Sequence, residues 1–338
     1  MSEPRHGKPP TGGTSREGDS LLSLLFNSPL ASFVLSIPFF LATSLLLAGT
    51  ELQSFAFWSS REVRLWRMLL AIYPTLFAGT LVAVLNDIRR NRFPWPGTRG
   101  ARTVVVLCSV LAALMYALPF ASAYFLPRSV LPENAEVLTR LPGFRTKTII
   151  LNLLGVVVLM LHTSGMFGVH AQLLARPRES PSRRGKPEAA SLREDVLRYQ
   201  HLRSRLERYL GFSATLIGLS LLNVGALRDL LNEAASPQPE LLPADLVIAY
   251  GIYFTGLLAI IYLPAHKSLK ELGQSLAERL VQHSLDVDAD WKQSFAEQQT
   301  ASAYLGLQSS ALQELQQALT VLAPILASIS SLVLGLGG

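Results

Sequence analysis

The sequence predicts an all-α integral membrane protein with six to seven transmembrane helices and a cytoplasmic helical bundle. Three observations carry this: the composition, a series of long charge-free blocks, and leucine periodicity in the polar segments between and after them. Hydrophobic residues make up 49% of the 338 residues and charged residues only 16%, against about 25% charged in an ordinary soluble domain. The charges are unevenly spread and leave apolar blocks of about 20 residues, the length a helix needs to cross a hydrocarbon core of about 30 Å. The single cysteine, Cys108, excludes an internal disulfide framework and a multi-cysteine metal site.

Residues 1–20 are rich in Gly, Pro and Ser and read as a disordered cytoplasmic tail. A membrane domain, 21–170, follows with four spans at 28–48, 68–86, 103–125 and 148–169. The first is too long for a signal-peptide core and no small-residue cleavage site follows it, so an uncleaved anchor is expected. Residues 171–208 open as a Pro/Ser/Gly/Arg linker and continue as a charged helix. Its stripe of Leu192, Tyr199, Leu202, Leu206 and Tyr209 runs into the fifth span without a breaker. Spans five and six fall within 209–265. After Pro264, Leu269, Leu272, Leu276 and Leu280 form a stripe on cytoplasmic helices assigned to 266–317, with a restart near Trp291 and Phe295. A C-terminal hydrophobic helix, 318–338, supplies the seventh span.

Counting Lys and Arg in alternate inter-span segments places 22 on one side and 8 on the other, which puts the N-terminus inside. Trp58, Trp66 and Trp95 stand near span ends, as an interfacial aromatic belt requires. The 24 Arg against 6 Lys are the usage of a GC-rich genome and point to a bacterial inner membrane. Because the positive charge lies in short inter-span segments rather than on a basic folded face, nucleic acid is excluded as a partner.

The sharpest pattern is a heptad seam, Leu312, Leu315, Leu319, Leu322, Leu326, Ile329 and Val333, alternating three and four apart. A second face of the same helix carries Thr320, Pro324, Ser328, Ser331 and Gly335 and is a candidate packing or pore-lining face. Gly211, Gly218 and Gly225 recur every seven residues and form a candidate helix-packing face. Pro38, Pro74, Pro119 and Pro324 are expected to kink their spans. Asn152, His162 and Asn223 are the mild polar exceptions inside spans, with His170 eight residues beyond His162, and His162 is expected to hydrogen-bond between helices.

Asp286, Asp288, Asp290 and Glu297 follow the one, three, five, twelve spacing of a calcium loop. Trp291 stands where that loop needs glycine, so the expectation is a polar turn with Asp290 capping the next helix. Arg89, Arg90, Arg92 and Trp95 combine cations with an aromatic at the inner face and are candidate lipid head-group contacts.

No phosphate-binding glycine loop, dinucleotide fingerprint, nucleophile elbow or zinc-protease pair is present. Neither a cofactor nor an enzymatic activity is expected. The pattern points to a non-enzymatic anchor or signalling and assembly component. Its partners would be the bilayer and, through 191–210 and 266–317, a second copy or a cytoplasmic protein. The alternative is a channel or pore-forming effector whose C-terminal helix lines the path. A third reading, a secondary transporter, is opposed by the missing intramembrane charges and the lack of an internal repeat.

Overall fold

The computed structural model describes residues 61–89, 92–125, 144–175, 189–235, 243–284 and 290–320, with 37, 38, 40 and 41. The tail 1–20, nearly all of the first expected span and residues 321–338 lie outside the described residues. Every regular element among those described is a helix: α1 (Arg61–Arg89), α2 (Arg99–Phe125), α3 (Phe144–Leu174), α4 (Ala189–Ala235), α5 (Ala244–Ser284), α6 (Trp291–Tyr304) and α7 (Ala311–Thr320). Five of them, α1 to α5, are long and apolar enough to cross a membrane.

The helices overrun the apolar blocks that predict them. A backbone in hydrocarbon must satisfy its own hydrogen bonds, so helix persists wherever the chain lies near the bilayer. Charged residues then extend the same helix at either end. In α4 this goes furthest: 47 residues span roughly 70 Å at 1.5 Å per residue, more than twice a hydrocarbon core of about 30 Å. The expected leucine and tyrosine stripe of the charged segment is buried along its whole length, Leu192, Tyr199, Leu202, Leu206 and Tyr209 all being 3% exposed or less.

Pro264 does not begin a new helix. It lies inside α5, a single helix of 41 residues, so the apolar stretch expected as the sixth span and the leucine stripe after it share one helix. Proline removes one backbone donor and crowds the preceding turn. The apolar stretch before it and the leucine stripe after it both hold the chain helical, with Leu258, Leu269 and Leu276 in the same core. Pro74 and Pro119 are likewise internal to α1 and α2.

α3 and α4 form the centre, packed on each other, on α1 and on α5, while α2 lies against α3 at the side. The outer surface of α2 is apolar and exposed at Val104, Leu107, Leu111, Leu114 and Leu118, and α5 shows Ile248, Ile252 and Ile260 in the same way. Such rows are costly in water and cost nothing in hydrocarbon. Inside, hydroxyl groups tie helices together: Ser164 Oγ donates to Ser109 Oγ at 2.8 Å, Tyr253 Oη donates to the Met115 carbonyl at 2.8 Å, and Tyr73 meets Ser220.

Close helix approach is carried by glycines other than the expected heptad set. A Cβ on Gly155 would meet the Phe77 ring at 2.8 Å, and one on Gly165 would meet the Tyr209 ring at 2.6 Å. On Gly168 it would strike the Pro94 carbonyl oxygen. At Gly211 and Gly225 it would meet nothing within 4 Å, and Gly218 is buried. Gly168→Ala should therefore destabilise the protein by about 1–3 kcal/mol through overpacking. Gly211→Ala should be neutral or stabilise by up to about 1 kcal/mol through helix propensity. Thermal melting of the two variants in detergent checks the pair.

Candidate functional site

The described polar groups concentrate where the charged ends of α4 and α5 meet α7. The local sequence dictates how α7 arrives there. α6 ends in a left-handed glycine, Gly306 at φ +66. The Gly306 N–H donates to the Ala303 carbonyl at 2.9 Å, and that of Leu307 to Ser302 at 2.9 Å, the glycine-terminated helix stop that satisfies orphan carbonyls. A side chain at Gly306 would also collide with the Arg203 guanidinium. Four residues on, Ser310 and Gln313 cap α7 reciprocally: the Ser310 N–H donates to Gln313 Oε1 at 2.9 Å and the Gln313 N–H to Ser310 Oγ at 3.2 Å.

That start aims Glu314 inward, its side chain 11% exposed. Ser309 Oγ donates to Glu314 Oε1 at 2.6 Å, Tyr262 Oη donates to Oε2, and His266 Nδ1 stands 3.1 Å from Oε2. Arg203 lies 3.9 Å from the same carboxylate and donates to the Leu305 carbonyl at 2.6 Å. Tyr199 donates to that carbonyl at 3.2 Å. Burial alone would raise the Glu314 carboxyl. The hydrogen bonds from His266, Ser309 and Tyr262 outweigh it and hold the group at about 2, below its ordinary 4.5. Farther along, Arg279 closes on Asp195 at 2.9 Å and links α5 to α4 again.

This arrangement fastens three helices, α4, α5 and α7, through one carboxylate. Among the described residues no group of three or more His, Cys, Asp or Glu could hold a metal ion.

A second knot joins the α1–α2 connection to α3 and α4. Asp87, 8% exposed, takes Arg208 Nη1 at 3.0 Å and Tyr209 Oη at 3.3 Å on one carboxylate oxygen. Its backbone carbonyl takes the N–H groups of Arg92 and Phe93 at 2.7 and 2.9 Å. Gln172 of α3 donates to the Trp95 carbonyl at 3.0 Å, and Arg102 of α2 to Pro96 at 2.8 Å.

The expected site residues fare unevenly. Thr320 closes α7, while Pro324, Ser328, Ser331, Gly335, Leu322, Leu326, Ile329 and Val333 lie outside the described residues. Leu315 and Leu319 lie on α7 without described side chains, and Leu312 is 64% exposed. Arg89 ends α1, Arg90 is outside the described residues, and Arg92 and Trp95 are exposed on the connection. His162 is buried against two other helices, α1 and α4. Its ring packs on Phe212, centroids 5.4 Å apart, beside the backbone of Thr80, and neither nitrogen makes a bond of ordinary geometry.

Asn152 lines a gap with Tyr73, Tyr116 and Ser220, and Asn223 Oδ1 is buried without a hydrogen-bond partner. Asp286 and Asp288 are outside the described residues. Asp290 occupies the N-cap of α6 by backbone alone, without the expected side-chain cap. Glu314 and the role of Asp87 were not expected. The Ser310-x-x-Gln313 capping box was the legible signal for where α7 starts, but nothing local marks a glutamate one residue later as buried.

No family model, no curated protein and no solved structure matches this chain.

The Glu314 contacts set a pH dependence. A carboxyl held at about 2 when folded, against an ordinary 4.5, contributes stability that is fully present above 4.5. That contribution is lost as pH falls from 4.5 through about 2. Protease protection of the α6–α7 segment should follow this window, and Glu314→Gln should cost about 1–3 kcal/mol at pH 7 and remove the acid dependence. Protection insensitive to both would show that the carboxylate does not hold α7.

Proposed function

We propose that the chain is a multi-pass inner-membrane protein that acts as a non-enzymatic anchor or signalling and assembly component. A cytoplasmic helical bundle, formed by the charged ends of α4 and α5 with α6 and α7, is the part that meets a partner. The observation that carries this reading is the continuity of α4 and α5. Each runs without a break from a charge-free stretch into a charged one. A helix transmits displacement along its axis as a stiff element, so a partner's contact with the bundle would bias the spans directly. The excess of Lys and Arg in alternate segments, 22 against 8, supports placing the bundle in the cytoplasm.

The surface best suited to such contact is α6. Trp291 and Phe295, one turn apart, are 71% and 65% exposed, and α6 buries none of its own residues fully. Exposed aromatics near each other are the usual anchors of protein interfaces. The double variant Trp291→Ser, Phe295→Ser should insert and melt like the parent, because neither ring supports the core. Adducts captured by cross-linking in intact membranes, to a second copy or to another protein, should fall by about tenfold or more. An unchanged adduct yield would overturn the reading.

A further inference from the structure

We propose that Arg92, Arg205 and Arg208, with His201 and Trp95, form a binding site for the phosphate of an anionic phospholipid head group. The site comes from two elements remote in sequence, the α1–α2 connection and the charged part of α4, and so is not the product of one basic stretch. Arg92 and Arg208 both meet Asp87, the Arg92 N–H at its backbone carbonyl at 2.7 Å and Arg208 Nη1 at its carboxylate at 3.0 Å. Arg205 and His201 lie on α4 one and two turns before Arg208. The carboxylate facing this group is Asp87, and it is already engaged by Arg208 and Tyr209. Three guanidinium groups against one committed carboxylate leave a local excess of positive charge, which a phosphate satisfies with two-pronged hydrogen bonds.

Position selects the lipid source of that phosphate. Arg205 stands one helical turn before Tyr209, where the charge-free stretch of α4 begins, and Arg92 lies three residues past the end of α1. Both are therefore at head-group depth. Trp95, 39% exposed and tilted against Phe93 with ring centroids 4.8 Å apart, supplies the amphipathic ring that prefers this layer. The proposal rests on the membrane reading above, and goes beyond it by naming a ligand.

The test reconstitutes the full chain in nanodiscs of phosphatidylcholine alone and of phosphatidylcholine with phosphatidylglycerol in equal parts. Lipid retained on the protein after detergent extraction is then quantified by mass spectrometry. The wild type should retain phosphatidylglycerol above its bulk share, and Arg92→Gln with Arg205→Gln should lower that enrichment about thirtyfold, as expected for two basic contacts. Arg193→Gln removes an equal charge from α4 twelve residues before Arg205, about 18 Å along the axis, and should leave enrichment unchanged. Melting in phosphatidylcholine alone should match the parent for every variant. If the double Gln variant melts lower, Arg92→Lys with Arg205→Lys replaces it and should keep part of the enrichment.

Enrichment that is absent, or equally sensitive to Arg193→Gln, overturns the site. An arginine-dependent stabilisation by inorganic phosphate without lipid enrichment overturns the lipid assignment in favour of a soluble anion. Failure to enter phosphatidylcholine nanodiscs at all overturns the membrane reading itself.

Discussion

Tyr209 stands where the apolar and charged parts of α4 meet, and the packing of four segments depends on how it is buried. Its ring fills the space that the missing side chain of Gly165 leaves on α3, and lies 6.0 Å from Phe93 of the α1–α2 connection. Its hydroxyl cannot be taken out of water without a partner, and Asp87 at the end of α1 accepts it. Asp87 in turn needs a cation, which Arg208 provides. One aromatic with a polar tip therefore fixes the height of α1, α3 and the connection relative to α4. A phenylalanine at this position would keep the packing and leave Asp87 to Arg208 alone among these side chains.

The Glu314 knot applies the same logic beside Arg203, six residues before Tyr209 on α4. Apolar contacts between helices tolerate small slides, because any oily surface serves nearly as well as another. A carboxylate receiving hydrogen bonds from α5 and from the turn before α7 tolerates none, since moving α7 by one residue leaves the charge unmet. Arg203, bonded to the Leu305 carbonyl and occupying the space beside Gly306, ties the register of α7 to that of α4. The register of these helices is thus set by polar contacts, while Leu202, Leu206, Leu269 and Leu276 supply the apolar packing between them.

The two kinds of glycine separate what sequence spacing conveys from what it does not. The seven-residue repeat of Gly211, Gly218 and Gly225 shows that these positions share a face, since that is a property of one helix. Whether another backbone approaches that face depends on the neighbour's rotation and depth. In this fold the close approaches fall on Gly155, Gly165 and Gly168 of α3 and on Gly273 of α5, whose spacing has no conspicuous repeat. His162 shows the same limit: a histidine in an apolar helix invites a neighbour on another helix, and only the fold places Phe212 of α4 and the backbone of Thr80 of α1 beside it.

The sequence by itself determined the helical class, the five described stretches able to cross a membrane, the unbroken leucine and tyrosine stripe on the charged part of α4 and the restart at Trp291. Each is a property of a single segment, set by the length of a charge-free run or the period of its leucines. Only the tertiary structure decided that α5 continues through Pro264, that Asp87 meets Tyr209 and Arg208, and that Glu314 joins Tyr262 and His266 across 52 and 48 positions of sequence. These depend on how helices are rotated and raised against one another. Composition and periodicity do not encode that arrangement; the summed fit of many side chains does.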